Sequence, residues 1–139
     1  MDGMPPVTPE LLRRLGMLGL GMTVAAQLFV LYDPSPSGGP NFPLSDKVTH
    51  ALIFMAPVVI ALLLGLQRWI VALVFAVHAP ISEYIQYRFL VARSGDPWDV
   101  VADLVGVAMG VVLVRFMLWL PTRSLPERGS ALSGKAPRR

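Results

Sequence analysis

The sequence predicts an all-α fold, an integral membrane bundle of four transmembrane helices, and three observations lead to it. Of the 139 residues 54% are hydrophobic and only 15% are charged, with a mean hydropathy of +0.58. A soluble domain carries about a quarter charged residues, so much of this surface must face a solvent other than water. Four apolar stretches each approach the roughly 20 residues with which a helix crosses a hydrocarbon core of about 30 Å. Short polar breaks separate them, two of which (DPSPSGGPNFP and ARSGDPW) are built from the Pro, Gly and Ser that interrupt helices.

Helix one is expected over about residues 12–32, after a short cytoplasmic segment, residues 1–11. Leu15 to Tyr32 holds no charged side chain across 18 residues. Arg13 and Arg14 before an apolar run also suit a secretory signal. However, the run is long for one and Thr23 to Gln27 (TVAAQ) is a poor cleavage site, so the segment is kept as a membrane helix. Asp33 to Pro43 is a loop.

Helix two, about 46–66, is apolar from Val48 to Leu66 except for His50, with Ser45 or Asp46 as its N-cap. Gln67, Arg68 and Trp69 form a tight polar turn with an interfacial aromatic. Helix three, about 69–91, is apolar until Ser82 and Glu83 and resumes to Val91, so it spans only if its polar residues face protein. After the turn from Ala92 to Trp98, Pro97 suits a helix start, where its missing N–H costs little. Helix four, about 97–120, is broken by Asp103 and Arg115 and carries Trp119 near its end. The membrane domain is therefore about 12–120, and residues 121–139 are a basic, disordered cytoplasmic tail with little to bury.

The absence of cysteine excludes disulfides, thiolate metal sites and thiol nucleophiles. A net charge of +3 does not point to nucleic acid, because the twelve Lys and Arg are dispersed and lack the interleaved aromatics of a binding groove. Membrane topology accounts for them better. With the N-terminus inside, Arg13, Arg14, Arg68 and the five basic residues of the tail are cytoplasmic, against Lys47, Arg88 and Arg93 outside. This excess favours both termini in the cytoplasm, and Arg115 is close enough to the inner end of helix four to extend its head to the interface.

Polar residues then fall at one depth. Asp46 and Lys47 sit at the outer surface, and His50 lies about 5 Å deeper on the face of Lys47. Glu83 lies about 20 Å along helix three and so in the outer half, with Gln86 one turn further. Asp96 and Asp99 stand at the mouth of helix four. Asp99, Asp103, Gly106 and Gly110 form one stripe in which the GxxxG pair admits another helix closely. Pro80, which removes a hydrogen bond to the Ala76 carbonyl, and Pro57 are expected to kink their helices and widen the outer half into a cavity. His78, about 140° around helix three from Glu83, is expected to be a satisfied interhelical histidine, and the methionines to be packing.

These residues carry a resemblance. Asp46-Lys47 with His50 (DKVTH), Ser82-Glu83 with Gln86 (SEYIQ), Arg93, and Asp96 to Gly110 (DPWDVVADLVGVAMG) resemble the VanZ-like family of small bacterial membrane proteins, over Ser45 to about Gly110. The positions that carry it are Asp46, Lys47, His50, Glu83, Gln86, Arg93, Asp99, Gly106 and Gly110. Asp103 departs from the pattern, standing where such proteins usually have Asn. The resemblance implies a multi-pass protein of the bacterial inner membrane, related to one named for teicoplanin resistance, and implies no particular chemistry.

Three readings of the cluster follow. In the first, Asp46, Lys47, Gln86, Arg93, Asp96 and Asp103 bind an envelope lipid, a wall precursor or a glycopeptide. In the second, the cluster is catalytic: His50 is acid or base, Glu83 a base and Asp99 their companion, while Lys47 and Arg93 hold a phosphate or carboxylate. A metal on His50, Glu83, Asp99 and Asp103 is a variant, but the spacing matches no known metal motif, so no metal or other cofactor is assigned. In the third, the charges pair and lock the bundle. Membrane lipids are the expected surroundings, and no oligomeric state follows from these residues.

Overall fold

A computed structural model describes residues 8–34, 45–90 and 95–120. It contains four helices, α1 Pro9–Tyr32, α2 Ser45–Leu63, α3 Arg68–Phe89 and α4 Pro97–Trp119, and no strand among the described residues. All four are long and apolar enough to cross a membrane. The expectations for residues 1–7, for the tail at 121–139, for most of the first loop and for Arg93 lie outside the described residues.

The helix ends show why the boundaries move. α1 starts at Pro9 rather than near residue 12, because Thr8 Oγ1 accepts the Leu11 N–H at 3.2 Å and Pro9 occupies a first-turn position. An ion pair of Glu10 with Arg14 at 3.0 Å supports that extra turn. At α2, Ser45 and Asp46 both lie within the first turn rather than at the N-cap. The same helix ends at Leu63, three residues short of the expected 66, because Gly65 takes a φ of +79°. The N–H of Leu66 then reaches the Ala61 carbonyl and that of Gly65 the Leu62 carbonyl, at 3.1 and 3.0 Å, which is a Schellman closure. Consequently Arg68 and Trp69 belong to α3 rather than to a turn, with Gln67 as N-cap. α3 closes at Leu90, whose N–H reaches the Gln86 carbonyl at 3.1 Å. α4 starts as expected, with Asp96 as N-cap and Pro97 in the first turn.

α2 packs against each of the other three helices. A Cβ at Gly106 would collide with the Ala51 carbonyl and lie 2.9 Å from Ala51 Cα, and one at Gly110 would lie 2.9 Å from Val58 Cγ1. The GxxxG stripe of α4 is thus pressed against α2. These contacts also set the directions: α2 and α4 run parallel, and α1 and α3 run the other way. One end of the bundle, the termini end, holds the start of α1, the end of α4 and the α2–α3 turn. The opposite, far end holds the starts of α2 and α4.

The core is thin, comprising Leu31, Phe54, Val58, Ala61, Val71, Ala79 and Val107, while Leu18, Met22, Phe29, Leu73, Val112 and Leu118 are exposed. Such an apolar exterior suits lipid rather than water. His78 joins three helices as expected, hydrogen-bonded to the Tyr32 hydroxyl at 3.3 Å with its ring 5.4 Å from that of Phe54. Pro57 and Pro80 both lie inside continuous helices, and Pro57 is fully buried in packing. A cavity of about 660 Å³ opens at the termini end, among Leu62, Leu66, Arg68, Trp69, Arg115 and Trp119.

Candidate functional site

On α2, Lys47 and His50 are three residues apart and share a face; on α4, Asp99 and Asp103 are four apart and share another. Because Gly106 lets α4 touch the α2 backbone at Ala51, His50, the residue before Ala51, is brought opposite Asp103, one turn before Gly106. His50 Nδ1 meets Asp103 Oδ1 at 2.9 Å. One turn nearer the far end, the Lys47 ammonium donates to Asp96 Oδ2 at 2.6 Å and to Asp99 Oδ1, with Asp46 Oδ2 at 3.6 Å.

α3 contributes Glu83. Its Oε1 lies 3.9 Å from His50 Nδ1, and its Oε2 accepts the backbone N–H of Asp96 at 3.1 Å. This last bond ties α3 to the mouth of α4. It depends on the chain passing closely at Gly95, where φ is +56° and a Cβ would lie 2.7 Å from Tyr87 Cβ. The other edge of the imidazole, Nε2, faces Asp99 Oδ2 at 3.9 Å.

Two layers result. The rim layer, Lys47 among Asp46, Asp96 and Asp99, is partly exposed. The inner layer, His50 with Glu83 and Asp103, is buried, with Asp103 wholly so. Asp96, which precedes α4, has its carboxyl held below the usual carboxylate range, first by the Lys47 hydrogen bond and then by the Trp98 N–H that it accepts.

Seven sequence-predicted residues are therefore brought together: Asp46, Lys47, His50, Glu83, Asp96, Asp99 and Asp103. Gln86 is buried on α3 one turn from Glu83, yet its Nε2 has no partner among the described residues. Ser82 stands apart, its hydroxyl donating to the Ala79 carbonyl at 2.8 Å. Gln27 on α1 is a buried polar residue that the sequence reading passed over; a single Gln inside an 18-residue uncharged run was the available signal.

Lys47 is already engaged by two hydrogen-bonded carboxylates and a third close by, which leaves its three donors little to offer an incoming anion. Glu83 Oε1 and Asp103 Oδ2, by contrast, are buried acceptors with no hydrogen-bond partner among the described residues. Among the described residues five carboxylates face Lys47 and His50, so that part of the centre is short of positive charge. Such an arrangement suits the sharing of protons or the holding of a cation. Compared with protein-family models, with curated proteins and with solved structures, the chain finds no match in any of the three.

Proposed function

We propose that the chain is a multi-pass protein of the bacterial cytoplasmic membrane, of the VanZ-like kind its motifs resemble, with both termini in the cytoplasm. In this reading the polar centre lies near the outer face and binds an envelope lipid, a wall precursor or a glycopeptide. One observation supports it most: Glu83 Oε1 and Asp103 Oδ2 are buried beside His50 without partners among the described residues. A cluster that served to lock the bundle would gain most by satisfying every buried member, since a half-satisfied polar network is worse than an apolar core. Unspent acceptors are what a binding centre keeps for its ligand.

The test pairs abundance with phenotype. Glu83→Gln, His50→Ala and Asp99→Asn are expected to reach the membrane at normal levels while changing glycopeptide sensitivity; disappearance of all three from the membrane overturns the reading. Orientation is tested separately, because the chain has no cysteine. A single Ser37→Cys reports by its reaction with a membrane-impermeant maleimide, and protection in intact cells would put that loop in the cytoplasm.

The His50–Asp103 hydrogen bond, with Glu83 beside it, also favours a second reading: an acid–base enzyme acting on a lipid-linked or phosphate-bearing substrate. Turnover of a labelled lipid by the purified protein distinguishes it from binding.

A further inference from the structure

We propose that His50, Glu83 and Asp103 hold a first-row divalent cation, Zn2+ or Mn2+, inside this centre. The inference rests on reading the cluster as a binding site and goes beyond it by naming what supplies the missing positive charge.

The geometry comes first. One ligand atom from each of the three residues lies within 4.8 Å of the other two, and all three residues are buried. His50 Nδ1 is 2.9 Å from Asp103 Oδ1 and 3.9 Å from Glu83 Oε1. Ligands about 2.1 Å from a tetrahedral ion stand about 3.4 Å from one another, so shifts of about half an ångström bring both His50 pairs to that spacing, and the Glu83–Asp103 pair starts within 4.8 Å. The second observation is independent of proximity: Glu83 Oε1 and Asp103 Oδ2 lack any hydrogen-bond partner among the described residues, so each carboxylate has an oxygen to give.

A small shift gives the imidazole the surroundings of a metal ligand. A histidine that binds through one nitrogen usually donates from the other to a carboxylate, which fixes the ring. Here Nε2 faces Asp99 Oδ2 at 3.9 Å, about 1 Å beyond a hydrogen bond, and the other oxygen of Asp99 is held by Lys47. Asp99 and Lys47 are thus positioning residues for the ring. A second possible trio, Asp46, His50 and Asp99, would spend Asp99 as a ligand and recruit the exposed Asp46. It leaves Glu83 Oε1 unexplained and is the weaker arrangement.

The donor set also selects the ion. One imidazole nitrogen and carboxylate oxygens suit Zn2+ or Mn2+, and the chain has no cysteine to favour a thiolate-seeking ion. On binding, the ion takes the place of the Nδ1 proton, which leaves to solvent, so affinity rises with pH. Three protein ligands leave a coordination position for an oxygen of a phosphate or carboxylate on the bound molecule. In that form an acidic centre recognises an anionic ligand without the help of Lys47.

The experiment uses the full chain in nanodiscs, stripped with EDTA and titrated with Zn2+ or Mn2+ while bound metal is counted. One ion per chain is expected. His50→Ala and Asp103→Ala should lower affinity at least 100-fold, and Asp99→Asn about 10-fold by loosening the ring. Helical content is measured on each variant. Should the variants fail to fold, the Mn2+-loaded wild type serves alone, and its spin-echo spectrum must show coupling to one imidazole nitrogen. Substoichiometric metal, equal affinity in His50→Ala, or no nitrogen coupling overturns the proposal. Glycopeptide sensitivity is scored on the same variants. If metal is absent but Glu83→Gln still changes sensitivity in a folded protein, the ion is overturned and the binding-site reading stands. If neither metal nor sensitivity responds, both fall.

Discussion

At the far end of the bundle, Lys47 stands among Asp46, Asp96 and Asp99, and His50 among Glu83, Asp99 and Asp103. At the termini end, Arg68 and Arg115 line an apolar cavity of about 660 Å³ beside Trp69 and Trp119. Neither arginine makes an ion pair among the described residues; Arg68 instead lies 5.5 Å from the Trp69 ring. Depth explains the contrast. Arg115 is exposed and four residues from the end of α4, so its long side chain can carry its charge toward head groups. His50 and Asp103 are short side chains, buried and further from their helix ends, and charge there must be met by protein or by a bound partner. The far end is therefore built by helix packing, the termini end by proximity to the interface.

Substitutions that break this contrast should differ in size. The largest effect is expected at Gly106→Ala, whose Cβ falls on the Ala51 carbonyl and 2.9 Å from Ala51 Cα, forcing α4 off α2 beneath the cluster. Overpacking of this kind costs about 3 kcal/mol, read as detergent unfolding. Gly19→Ala, with nothing within 4 Å of the new Cβ, should be neutral or slightly stabilising through helix propensity.

Lys47→Met should come next. It leaves Asp99, whose side chain is 9% exposed, without its cation, while Lys47 itself is 29% exposed. A fully buried pair broken this way costs about 3–5 kcal/mol, and partial exposure reduces that to about 2. Arg115→Ala at the opposite end should stay within about 0.5 kcal/mol. Equal losses at the two ends would erase the distinction between them.

The smallest effect is a pH dependence. Asp96 titrates below its usual range because Lys47 and the Trp98 N–H hold its charged form. A depressed folded-state pKa contributes stability that is complete above the unfolded value, about 4, and is lost as pH falls through the lowered value. Melting curves in detergent should lose a small increment between pH 4 and the acid limit, and Asp96→Asn should remove that increment.

Much of this was legible in the sequence because hydropathy, depth and helical phase are local quantities. The stripe from Asp99 to Gly110 needed its spacing alone, and α2 proved to be the helix it admits. Misplaced ends had local signals that were overridden: Leu64 and Leu66 kept the apolar run going past Gly65, and the charges of Glu10, Arg13 and Arg14 hid a capped helix start at Thr8. What stayed hidden depends on contacts between helices. Spacing could not reveal that Lys47 is already spent on carboxylates, nor that Glu83 reaches the Asp96 backbone, which requires the path taken at Gly95.

The central claim is that the far-end centre holds acceptors for a ligand rather than for the fold, and Glu83→Gln tests it most directly. Gln keeps an oxygen for the Asp96 N–H and replaces the unpartnered Oε1 with an amide donor facing His50 and Asp103. Unfolding of this variant in detergent, measured beside glycopeptide sensitivity of cells that carry it, should show stability equal to or above that of the parent together with altered sensitivity. A loss of about 3 kcal/mol or more, the cost of breaking a buried ion pair, with unchanged sensitivity wherever the protein still folds, would make the cluster a lock and contradict the claim.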